Sequence, residues 1–155
     1  MKRWSILALI AAAVLMLFPR HTSDIGELLP VELLYVDRDE SGIWVETDTG
    51  ETGRGESLTR ALEDLKATAP GTLFLETADY LIVTRQSAEL LPQLRKILRP
   101  ATQVCLGVNT DAGAAAFLSA HKPGILLKDV RSPEQKLPVL MGTEERYRLV
   151  SEGNP

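Results

Sequence analysis

The chain has 155 residues, 25% of them charged and 45% apolar, proportions that suit one globular core and exclude general disorder or two comfortable domains. The net charge is −4, and setting aside the three basic residues Lys2, Arg3 and Arg20 around the hydrophobic N-terminus takes the remainder to −7. So acidic a body, with no basic patch visible in the sequence, is a poor candidate for nucleic-acid binding, which demands clustered cations.

A single cysteine, Cys105, rules out an intrachain disulfide, a CxxC redox pair and a cysteine zinc cluster. Inside the apolar run 104–108 it reads as a small buried hydrophobe.

Lys2 and Arg3 precede an uncharged apolar run from Trp4 to Phe18, closed by Pro19 and Arg20. This is a targeting segment at 1–20, outside the fold. It is shorter than the roughly 20 residues of a membrane span, yet the residues after it offer no small-x-small cleavage site. The expectation is an uncleaved N-terminal hydrophobic helix serving as a single-pass signal anchor in the cell membrane. The basic flank keeps its start cytoplasmic and exports the remainder. Secretion after cleavage is the alternative. Residues 21–30 read as a tether.

Residues 31–36 and 43–47 are strand candidates joined by the turn-forming cluster DRDESG, a hairpin signal. TGETGRGE at 49–56 reads as a Gly-rich linker. Glu51 and Glu56 and the lack of a following lysine oppose a phosphate cradle around Gly53 and Gly55. The segment 57–68 places Leu58, Ala61, Leu62 and Leu65 at helical spacing, with Arg60, Glu63, Asp64 and Lys66 on a solvated face. Ala69, Pro70 and Gly71 stop it.

A strand region spans 73–83, its continuous apolar part starting near Asp79; Tyr80 to Val83 must be covered on both faces. A helix follows over 87–98, regular only from about Leu91 because of Pro92. Then come a strand at 102–108 and a helix at 112–121, with Asn109, Thr110 and Asp111 supplying N-cap chemistry. Residues 137–141 and 146–150 offer a final strand or a docking segment. The predicted fold class is α/β, with α+β as the alternative. It is a small mixed sheet with an N-terminal hairpin, covered by about three helices. The domain is placed at 31–128, with 129–155 as linker and C-terminal tail.

No catalytic, cofactor-binding or metal-binding residues are identified. Nucleophilic or acid–base work needs a base beside the reacting group, and the two histidines, His21 and His121, sit beside the apolar segment and at a helix end. Asp37, Asp39, Ser41, Gly42 and Asp48 match a calcium-loop spacing, but strands flank the loop and the last position is Asp, so an acidic turn is expected. The candidate partner contacts are Asp37, Asp39, Glu40 and Trp44, the last an aromatic anchor if it is not simply packed within the sheet.

In order, VELLYVDRDESGIWVET, a Gly/Ser linker, SLTRALEDLKATAPGTLF, DYLIVT, ELLPQLRKILRP and TQVCLGV followed by AGAAAFL resemble the N-terminal domain of the spore germinant receptor C-subunit family. The resemblance covers about 28–121. Members are typically lipoproteins, whereas here a hydrophobic segment stands in place of a lipid-bearing cysteine. The resemblance implies a non-enzymatic, membrane-attached extracytoplasmic domain with an accessory or receptor-assembly role in spore germination. Its partners would be integral-membrane proteins resembling germinant-receptor subunits. A generic anchored cell-envelope binding domain is the alternative, and an unrecognised secreted enzyme a more distant one.

Overall fold

The computed structural model describes residues 28–143 and 146–151. The expected anchor at 1–20, and the tether as far as residue 27, lie outside the described residues. Among the described residues no helix is long and apolar enough to cross a membrane.

Nine strands and three α-helices follow in order among the described residues. They are β1 (Leu28–Pro30), β2 (Leu33–Asp39), β3 (Gly42–Thr47), β4 (Thr52–Gly55), α1 (Leu58–Thr68), β5 (Thr72–Phe74) and β6 (Tyr80–Val83). Then come α2 (Leu91–Leu94), β7 (Gln103–Val108), α3 (Ala115–Ala120), β8 (Val139–Met141) and β9 (Arg148–Val150). β1 and β5 form a small parallel pair, and the other strands form one seven-stranded sheet in the order β4-β3-β2-β6-β7-β8-β9. β2, β6, β7 and β8 run parallel, while β3, β4 and β9 are added antiparallel. The fold is therefore α/β with a mixed sheet, as expected.

Strand alternation sorts the core into two layers. Leu34, Val36, Leu81, Val83, Val104 and Leu106 point to the first face, where they meet α1 and α2. Leu33, Tyr80, Ile82, Cys105 and Leu140 point to the second, where Ala112, Ala114, Ala115 and Leu118 cover them. Every residue of β6 is buried, which is why this strand carries no polar position.

The N-cap of α1 is Ser57, whose Oγ accepts from Arg60 N at 3.3 Å. The helix expected over 87–98 is regular only from Leu91 to Leu94. Beyond it, Ile97 and Leu98 both donate to Leu94 O, so tight turns keep Leu98 buried where a longer helix was expected.

Three expectations are corrected. Residues 28–30, expected to close the tether, form β1 and pair with β5. The supposed linker holds β4, and its glycines are required by the approach of α1. A Cβ on Gly55 would lie 2.6 Å from Ala61 N, and one on Gly53 would overlap Ala61 O and Leu65 N. The domain also runs past its expected boundary at residue 128, because 139–141 and 148–150, expected as a final strand or a docking segment, are both strands of the sheet.

Asp64 is exposed, as expected, and it also accepts from Arg54 N at 2.9 Å, while Thr68 Oγ1 donates to Thr52 O at 3.0 Å. Helix side chains thus satisfy pairing groups that β4 presents at the sheet edge, as edge protection requires.

A candidate recognition cleft at the carboxyl ends of the parallel strands

The connections leaving β6 and β7 part company. After β6 the chain turns to the first face, where Ala88, Leu90 and Leu91 are buried. After β7 it turns to the second, where Ala112 and Ala114 are buried. When neighbouring parallel strands send their connections to opposite faces, a crevice opens over the strand ends, and this is where ligands of open α/β sheets bind. Here the crevice has a volume of about 1030 Å³.

Its walls come from three places: Asp37 to Glu40 at the end of β2 and in the hairpin turn, Thr84 to Gln86 with Glu89 after β6, and Gly107 to Asn109 at the end of β7. Gly107 is required by close packing, since a Cβ there would lie 2.7 Å from both Ile82 Cγ2 and Thr110 Cγ2. Asn109 has φ 48°, a left-handed conformation that asparagine tolerates better than most side chains.

The base of the crevice is braced by hydrogen bonds. Thr84 Oγ1 donates to Asp37 Oδ1 at 2.7 Å, and Arg38 N donates to the same oxygen at 2.7 Å. Ser87 Oγ donates to Val36 O at 2.7 Å and accepts from Thr84 N at 2.9 Å. The Arg38 guanidinium pairs with Glu89 across the wall.

Asp39 caps the hairpin turn, its Oδ1 accepting from Ser41 Oγ and Ser41 N, and these bonds hold its carboxyl below the usual range. Tyr35 lies beneath the crevice; burial, reinforced by Asp37, Glu46 and Asp111, pushes its phenol up to about 12. Four carboxylates, Asp37, Asp39, Glu40 and Glu89, face two guanidinium groups, Arg38 and Arg85, so the lining is acidic.

A second polar cluster clasps the second face. Asp111 caps the segment leading into α3 by accepting from Gly113 N at 2.9 Å, and it accepts from Tyr147 Oη at 2.7 Å. Burial, then the Asp111 charge, raises the carboxyl of nearby Glu46.

Three of the four candidate contacts, Asp37, Asp39 and Glu40, meet in the crevice. Trp44 does not. It is paired with Asp37 and Arg54 in neighbouring strands, half-buried, with the Arg54 guanidinium 4.2 Å from the ring centroid. It is packed within the sheet.

The calcium-loop spacing does not converge. Asp48 sits at the far end of the hairpin, where its Oδ1 accepts from Glu32 N and Leu33 N at 3.0 Å. Among the described residues no group of three or more His, Cys, Asp or Glu is placed to hold a metal ion. Cys105 is fully buried and burial lifts its thiol to about 12, while His121 stacks on Phe117 at 4.4 Å.

Sequence reading missed Thr84, Arg85, Gly107 and Asn109. The signal was present, since TRQS follows the apolar strand β6 and GVNT spans the carboxyl end of β7, where such crevices form.

Comparison of the chain with protein-family models, with curated proteins and with solved structures finds no match.

Proposed function

We propose that this chain is a non-enzymatic recognition domain, anchored in the cell membrane and held outside the cytoplasm, whose binding site is the crevice at the carboxyl ends of β2, β6 and β7. The crevice itself carries the reading. It combines an open cleft at a place where ligands of α/β sheets bind with a hydrogen-bonded base and an acidic lining, and its polar groups serve to position and attract. The apolar run from Trp4 to Phe18 supports the anchor. The motif order over 28–121 supports an accessory or receptor-assembly role in spore germination, with integral-membrane proteins as partners.

The test is photo-crosslinking in intact cells that produce the full chain, with the photoreactive residue at Gln86 in the crevice or at Lys66 on the outer side of α1. A discrete adduct from Gln86 alone, in the membrane fraction, is the expected result. Adducts from neither site, or the same adducts from both, would refute the crevice as the site. Equal levels of the chain in the membranes of growing cells and spores would refute the germination role.

A further inference from the structure

The crevice does not end at β7. Two smaller cavities continue from it, of about 440 Å³ and about 310 Å³, and Arg85 lines all three. The second reaches the loop at 133–136, and the third shares Gly107 and Val108 with the crevice and lies over the first face of β7, β8 and β9, so the cavities adjoin as a groove from the hairpin turn toward β9.

The two ends of this groove differ in chemistry. At the hairpin end stand Asp37, Asp39 and Glu40. At the other end Val108, Met141 and Val150 are 41%, 43% and 41% exposed and line the third cavity beside Val139. Strand register explains their grouping. Val108 is the cross-strand partner of Met141, and Val139 that of Val150, so all four project from the first face. Arg148 pairs with Met141 and makes this end unfavourable for a cation.

From β2 to β9 there are four strand-to-strand steps, roughly 19 Å at about 4.8 Å each. An extended chain of about six residues covers that span. Building on the crevice as the binding site, we propose that the groove takes an extended peptide segment of about six residues, with a basic side chain against Asp39 and Glu40 and apolar side chains against Val108, Met141 and Val150. Charge complementarity fixes one end of the segment and apolar burial the other, so composition and spacing both matter.

The experiment is fluorescence anisotropy on the purified full chain in detergent micelles. The probes are fluorescein-labelled hexapeptide pools with Arg or Lys at one end, Leu or Val in the last two positions at the other, and Gly/Ser between, made in both chain directions. Control pools carry Glu in place of the basic residue, or Ser in place of the apolar pair. The expected result is that at least one basic–apolar pool binds at least tenfold more tightly than both controls. Glu40→Lys and Met141→Glu should each weaken that binding at least tenfold, with unchanged melting temperatures, while Lys66→Glu leaves it unaltered.

Equal binding of all pools, no binding by any, or insensitivity to both substitutions would overturn the peptide assignment. If crosslinking from Gln86 still captures a partner in that case, only the ligand class has failed. If Gln86 also captures nothing, the crevice reading fails with it.

Discussion

Thr84 Oγ1 donates a 2.7 Å hydrogen bond to Asp37 Oδ1, joining the ends of two adjacent parallel strands across 47 residues of sequence. This bond and its neighbour, from Ser87 Oγ to Val36 O, lock the loop after β6 to the end of β2. Ser87 is fully buried, so removing its hydroxyl strands polar groups away from water. Ser87→Ala should cost about 1–3 kcal/mol, measured by urea denaturation, and should loosen the crevice wall.

Gly53 in β4 and Gly50 in the turn before it give a sharper contrast. Gly53→Ala forces a methyl group into the backbone of α1, where no side chain can swing aside, and should cost about 3 kcal/mol. Gly50, with φ 94° and open space around it, pays only for backbone conformation, about 1 kcal/mol. Thermal melts of the two variants check the difference.

The protected edge at β4 depends on side chains of α1. The double substitution Asp64→Ala with Thr68→Val removes the acceptor of Arg54 N–H and the donor to Thr52 O. A loss of about 1–2 kcal/mol and concentration-dependent self-association in sedimentation velocity are the expected outcomes.

Tyr35 should report its burial through pH. Its phenol is lifted from 10.0 to about 12, so the folded state keeps a proton that the unfolded chain releases earlier. The stability from this neutral form is complete below about pH 10 and is lost as pH rises toward about 12, because unfolding then releases a proton. Ultraviolet titration of the three tyrosines should show a late ionisation component that Tyr35→Phe diminishes.

Much of the fold is legible in local pattern. The apolar alternation of the hairpin, the spacing of Leu58, Ala61, Leu62 and Leu65, and the unbroken YLIV of β6 each state their structure within a few residues. β4 does not. TGRG carries the composition of a loop, and it is a strand because α1 must approach closely enough to exclude a Cβ, a fact about tertiary contact. β1 and β5 are three-residue pieces that exist only by pairing with each other.

The candidate site divides the same way. Asp37, Asp39 and Glu40 were visible as a charged turn, whereas Thr84, Arg85, Gly107 and Asn109 belong to the site only because the connections of β6 and β7 leave on opposite faces. Trp44 was drawn in by its residue type, and its contact with Arg54 places it within the sheet.

Partners should be met at the carboxyl ends of the parallel strands. Hydrogen–deuterium exchange tests this most directly, comparing the purified chain with the same chain in complexes recovered from the membranes of producing cells. Slowed exchange at 84–89 and 107–109, with α1 unchanged, is the expected result. Slowed exchange confined to α1 and β4, or no difference anywhere, would contradict it.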